Sequence, residues 1–254
     1  MSKGNLSTDR YFDVMCGLLK KIKETQREAI LEAVNAIADS LSNGGVLHLF
    51  GTGHSQMLVE EAYSRAGGLV PVDAITEDIL WPHSGLSTAL ERTVDSVKVF
   101  FDFHNVQKGD VMIIISNSGI NAMIVEAAFE AKKRGVKVIA ITSLIHTEHP
   151  EARHSGRHPS GKRLFEVADI VINNFVPAGD AVLEIEGVGT RVGTGSTITG
   201  VAIINAIVCG VAEEMVKRGV EPPILMSNNM EGTEEHDRML IARYKDRLPL
   251  LYYS

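Results

Sequence analysis

Two short segments combine glycine with hydroxyl and amide side chains. Gly51-Thr52-Gly53-His54-Ser55-Gln56 follows the apolar run 46–50, and Ser116-Asn117-Ser118-Gly119-Ile120-Asn121 follows the β-branched run 111–115. Glycine lets a backbone turn sharply and approach a ligand. A helix opening at about Ser55 and another at about Asn121 would add free N–H groups and a positive dipole end, which suit an anion. Both segments therefore read as phosphate cradles. The plainer readings are a tight turn at 51–56 and a helix cap at 116–121. A cap needs one Ser or Asn, and here three precede Gly119. A third stretch, 190–200, also sets glycines and small hydroxylated residues before an apolar helix, but close helix packing selects the same residues.

Proton transfer needs a carboxylate or imidazole. Glu60 and Glu61 lie just past the first turn, and adjacent positions point about 100° apart on a helix, so one at most faces a site. Glu77 stands in a polar loop. Each has an ordinary alternative as a solvated charge. Four of the nine histidines, His146, His149, His154 and His158, fall in one segment with Arg153, Arg157, Lys162 and Arg163. That segment is either a solvated loop or a lid whose His158, Ser160 and Lys162 close over an anion. It lacks a metal-binding spacing such as HExxH, and no metal is expected. His54 and His83 are further hydrogen-bonding candidates. The first turn also approaches a dinucleotide fingerprint, with Asp73 near the place of a ribose-binding acid. Gln56 stands where that fingerprint wants its third glycine, so an oxidoreductase is a weak alternative and no cofactor is expected.

These residues need elements to hold them. Apolar positions at spacings of three to four predict one long helix or two over 10–42, ended by Asn43-Gly44-Gly45. Strands are predicted at 46–50, 69–72, 111–115, 136–141 and 170–172, with an extra edge at 182–185. Helices are predicted at 55–65, 90–103, 121–134 and 197–217. Strand and helix in alternation mean a parallel sheet covered on both faces, in one α/β domain of core 44–218 with a helical extension at 1–43 and a tail at 219–254. In such sheets ligands sit beyond the carboxyl ends of the strands, which is where both cradles fall.

The 254 residues carry 25 Lys+Arg and 32 Asp+Glu, a formal charge of −7, which excludes a dedicated nucleic-acid surface. Cys16 and Cys209 are far apart, which fits a reducing compartment. The absence of an apolar leader or a membrane-length apolar run predicts a cytoplasmic protein without a membrane partner.

The GxGxS turn after the first strand, the SxSG turn after the third and the strand spacing resemble the SIS (sugar isomerase) domain, over roughly residues 35–217. The nearest likeness is to SIS proteins related to phosphoheptose isomerase. The resemblance implies a three-layer sandwich with a five-stranded parallel sheet. It implies a phosphorylated sugar, amino sugars included, with Ser55, Ser116, Ser118 and Asn121 on its phosphate; Gly51, Gly53, His54, Asn117 and Gly119 are the other binding candidates, from the two turns themselves. The family usually has Ser or Thr at the place of Asn121. The resemblance further implies a homodimer or homotetramer, in which Met226, Asn228 and Asn229 reach a neighbouring site. By analogy with E-E-x-x-x-R in phosphoheptose isomerase, Glu61 is the better base and Glu60 the second. That enzyme's histidine in the last long helix has no counterpart here, where Asn205 is the polar residue mid-helix. SIS-type etherases use two glutamates, and Glu77 is then the second. The reading is an isomerase or lyase acting by carboxylate proton transfer; the alternative is a phosphosugar sensor without catalysis.

Overall fold

The computed structural model describes residues 6–150 and 157–248. Two helices open the described chain, α1 (Ser7–Thr25) and α2 (Arg27–Ser42), broken at Gln26. Strand β1 (Leu47–Gly51) leads through a 3-10 turn at Gly53–Ser55 into α3 (Gln56–Ala62) and then β2 (Val72–Ile75). Two short helices, α4 (Ser87–Leu90) and α5 (Val97–Phe103), precede β3 (Val111–Ile115). Next come α6 (Ala122–Lys133), β4 (Lys137–Thr142) and the single turns α7 (Leu144–Thr147) and α8 (Leu164–Val167), the latter leading to β5 (Ile170–Asn173). A hairpin of β6 (Ala181–Leu183) and β7 (Val192–Thr194) leads to α9 (Ser196–Lys217), and α10 (Thr233–Ala242) follows.

The main sheet is five-stranded and parallel, in the order β2-β1-β3-β4-β5. Strand β3 sits at its centre, and its run VMIII is buried on every residue, as a strand covered on both faces requires. Alternate side chains feed two apolar layers. Leu49, Ile113 and Ile141 face α2, α3 and α9, while Phe50, Ile114 and Ala140 face α5 and α6.

Several sequence expectations need correction. The second strand starts at Val72 rather than Leu69, because Pro71 has no N–H to give a ladder. Leu69 instead bridges Ile224. The helix expected over 90–103 is two helices: the Thr93 hydroxyl bonds back to the Leu90 carbonyl at 2.8 Å, and the chain turns before α5. The helix after the first turn ends at Ala62, short of Arg65. The strand at 182–185 is no edge of the main sheet; β6 pairs antiparallel with β7 alone.

Helix α9 is long and apolar enough to cross a membrane by length and composition, contrary to the sequence expectation. Eight of its residues are nevertheless buried, and Gly200 lies so close to α3 that a Cβ there would meet Leu58 Cδ2 at 2.0 Å. Ile198 and Val216 remain exposed on its other face.

Candidate functional site

A cavity of about 250 Å³ opens beyond the carboxyl ends of β1, β3, β4 and β5. The loop after β1 gives it Thr52, His54 and Ser55, and the loop after β3 gives Ser116, Asn117, Ser118 and Asn121. Both loops depend on a left-handed glycine, Gly53 at φ +57° and Gly119 at φ +63°. At Gly119 a Cβ would also lie 2.9 Å from Thr142 Oγ1, so the turn packs directly on the end of β4. Gly51 packs on Ser55, 2.9 Å from a Cβ placed there.

Ser116 Oγ accepts a hydrogen bond from the Gly119 N–H at 3.0 Å, so this hydroxyl shapes the turn as well as lining the cavity. The Ser55 and Ser118 side chains bond to no described residue. Asn121 precedes α6 without capping it through its side chain, and the Met123 N–H in the first turn of that helix donates to the Glu91 carbonyl at 3.0 Å. The Asn117 Oδ1 accepts from Asn174 Nδ2 at 3.0 Å, and the buried Asn117 Nδ2 has no partner. No lysine or arginine lines the cavity among the described residues.

Of the nine sequence-selected binding positions, His54, Ser55, Ser116, Asn117, Ser118 and Asn121 line this one cavity, and the three glycines shape its loops. The acid–base candidates do not join them. Glu61 pairs with Arg65 one turn along the chain, and Glu60 is exposed. Glu77 lies 3.4 Å from His104 Nε2, off the cavity. His158 Nε2 is 2.7 Å from Glu126 on α6, and its Nδ1 is 2.7 Å from Ser160 Oγ, while Lys162 points to solvent. The described part of the expected lid, 157–163, is therefore fastened along α6. His154 and Arg153 lie outside the described residues. Among the described residues His158 bonds Glu126 while His146 lines the cavity, so these two do not converge, and His83 stacks on Trp81. Met226, Asn228 and Asn229 do not line the cavity.

Glu91 and Asp180 line the cavity without having been singled out in the sequence, and His146, placed there in the lid segment, joins them. Glu91, in the turn after α4, accepts a hydrogen bond from Thr52 Oγ1 at 3.1 Å and another from the Asn121 side chain. Burial raises its carboxyl above the ordinary carboxylate range, and those bonds and nearby Arg92 only partly offset this. Asp180 has φ +69°, uncommon for a residue with a Cβ. It accepts from the Ser196 N–H and Oγ, both at 2.9 Å, and so caps α9. His146, in α7, is half-buried at the same wall. The one sequence signal available was that each follows a strand or precedes a helix on the sheet's active edge.

A second polar cluster lies under the sheet, near the start of β1. Buried His48 holds Asp73 Oδ2 at 2.7 Å through Nδ1 and Asp110 Oδ2 at 3.1 Å through Nε2. His104 Nδ1 reaches Asp73 at 3.0 Å, and Arg247 Nη2 reaches both oxygens of Asp110 at 2.9 Å. Burial alone would lower the His48 pKa, but the bonds to Asp110 and Asp73 outweigh it and hold the imidazolium. Asp73 and Asp110 are held below their ordinary range by the same bonds, against burial. Asp73 is thus committed inside the fold, which removes the ribose-binding acid that a dinucleotide enzyme needs.

A parallel sheet with glycine–serine turns and a polar cavity at its carboxyl edge defines an α/β protein. The SIS domain model matches residues 10–143, just over half of the chain, and this protein belongs to that family. It is 39% identical over 245 residues to a UPF0309 protein of Geobacillus thermodenitrificans, covering 96% of this chain and 97% of that one. A UPF0309 protein of Caldanaerobacter subterraneus is 42% identical, covering 94% and 98%. Among solved structures, a phosphoheptose isomerase from Francisella tularensis superposes with TM-score 0.55 at 18% identity, covering 81% of this chain and 96% of that one. The phosphoheptose isomerase from Neisseria gonorrhoeae gives 0.55 at 21%, covering 81% and 97%. These structures share the fold.

Proposed function

We propose that the cavity binds a phosphorylated sugar, amino sugars included, and that Glu91 carries a proton in an isomerase or lyase reaction. The observation behind this reading is the convergence of two glycine–serine loops on one cavity that also holds a carboxyl with a raised pKa. The phosphate sits on the Ser55, Ser116 and Ser118 hydroxyls beside the N-terminus of α6, whose dipole favours an anion. An Escherichia coli protein of this fold solved in complex with a phosphosugar, which superposes with TM-score 0.50 at 15% identity, is consistent with such a ligand.

A base that removes a proton next to a carbonyl works best when its pKa approaches the working pH. Burial moves Glu91 in that direction. Exposed and unbonded, Cys16 and Cys209 fit a cytoplasmic setting for the reaction.

A panel of aldose phosphates and N-acetylamino-sugar phosphates, with inorganic phosphate as control, tests binding by thermal shift, because a ligand of the native state raises the melting point. The best ligand is then followed by NMR in D2O. Deuterium entering at a sugar carbon marks proton transfer. Glu91→Gln should keep the thermal shift and lose about 100-fold or more of the exchange. Binding without exchange in the wild type would leave a sensor, a reading favoured by the lack of histidine in α9. No thermal shift with any sugar phosphate would end the phosphosugar assignment.

A further inference from the structure

Resting on the proposed chemistry, the geometry points to His146 as the group that handles the sugar's oxygen atoms while Glu91 handles its carbon-bound proton. It lies three residues beyond the segment matched by the family model.

The support is the way the ring is held. Ser143 accepts from the His146 backbone N–H at 3.1 Å and donates to the Val176 carbonyl at 2.5 Å, which anchors the turn to the loop after β5. The Gly179 N–H points at His146 Nδ1 from 3.4 Å. An N–H can only donate, so Nδ1 is the acceptor and the neutral ring carries its proton on Nε2. Nε2 bonds to no described residue, and His146 lines the cavity. A fixed tautomer with a free donor at a ligand cavity is the arrangement wanted for polarising a carbonyl.

The charged groups around the ring are Asp180 and His149. Burial lowers the His146 pKa below its ordinary 6.5, His149 adds to this, and Asp180 opposes it. The imidazole is therefore neutral at neutral pH. Glu91 lies on the turn after α4 and His146 on α7, so the two reach the cavity from different elements.

For an aldose-to-ketose step the atoms balance as follows. The Glu91 carboxylate takes the proton from the carbon beside the carbonyl, and the C–H pair forms the double bond of an enediol. His146 passes its Nε2 proton to the former carbonyl oxygen and takes the proton of the neighbouring hydroxyl, so the imidazole ends as it began. Glu91 returns its proton to the adjacent carbon. No oxidant or further reactant is needed.

The test uses the sugar phosphate that shows exchange with wild-type protein. His146→Ala should melt near the wild type, keep ligand-induced stabilisation and lose about 100-fold in kcat. Imidazole added to the buffer should restore part of that rate, which a merely structural role would not allow. His146→Gln should also reduce the acid limb of the pH–rate profile from two protons, one each for Glu91 and His146, to one. Wild-type kcat and an unchanged acid limb in both variants would overturn the role of His146 and leave the Glu91 chemistry standing. A wild type that binds but shows no exchange would overturn both.

Discussion

Two polar regions sit at opposite ends of the same sheet, and each combines histidine with carboxylates. Under the start of β1, His48 bridges Asp73 and Asp110, and Arg247 completes the second carboxylate with paired 2.9 Å contacts. Beyond the carboxyl ends, Glu91, Asp180 and His146 share a cavity with the free hydroxyls of Ser55 and Ser118. In the first region opposite charges face each other and water is excluded. In the second, donors point into space, and the buried Asn117 Nδ2 has no partner. Burying polar groups without partners costs free energy, so the difference separates a cluster that fastens the fold from one kept open for a ligand. Residue type alone does not tell them apart, nor does one unpaired atom, since buried His104 Nε2 also has no hydrogen-bond partner; the open cavity beside the unpaired groups does.

The comparison breaks first at Asp110. Replacing it by Ala leaves the His48 imidazolium with Asp73 alone and takes the carboxylate from Arg247, and loss of one partner from a buried ion pair costs about 3–5 kcal/mol. Urea unfolding should show that loss, while the fraction still folded keeps its ligand-induced stabilisation. A loss under about 1 kcal/mol would mean that the cluster is not the fastening it is taken for.

The opposite pattern should appear when Ser116 and Ser118 are both changed to Ala. Hydrogen bonds to a charged group contribute about 1.5–3 kcal/mol each, so losing two should lower sugar-phosphate affinity by roughly a hundredfold or more. Stability should drop by only about 1 kcal/mol, the size of a lost cap. Titration calorimetry beside a melting curve separates the two effects, and unchanged affinity would move the phosphate elsewhere.

The buried cluster also sets a pH window. The His48 pKa is raised above its ordinary 6.5, so its contribution is complete below that pH and fades as pH rises through the folded-state value. Asp73 and Asp110 are lowered from 3.8, so theirs is complete above that pH and fades as pH falls through their folded-state values. Stability should therefore be highest between these limits and decline on both sides. Asp110→Ala should flatten the alkaline decline. An alkaline rise in the unfolding midpoint would contradict the imidazolium.

The smallest effect belongs to Glu61. Its pair with Arg65 is partly exposed, and such pairs contribute about 0–1 kcal/mol. Glu61→Gln should leave the melting point nearly unchanged and deuterium exchange intact. A strong fall in exchange would return the base to α3 and displace Glu91.

Much of this arrangement is readable in the sequence. The run VMIII specifies a central strand, and the two glycine–serine turns identify six residues that line one cavity. What escaped depends on contacts between distant segments. Glu91 falls in the stretch 90–103, whose apolar spacing reads as one helix, and only Thr93 bonding back to Leu90 reveals the turn. His48 sits inside an apolar run, and its partners lie 25 and 62 residues away, so nothing local marks it as charged. Asp73 could be placed on a strand but not assigned, since its two histidines come from β1 and the end of α5.

The absence of lysine and arginine from the lining, among the described residues, has a kinetic consequence. Most phosphate sites attract their ligand through a positive field, and salt slows the encounter. Here hydroxyls and N–H groups act only at contact, while the molecule as a whole carries −7 and repels an incoming dianion. Added salt shortens the reach of that repulsion to about 10 Å at 0.1 M. The association rate should therefore rise with ionic strength while the dissociation rate holds nearly constant.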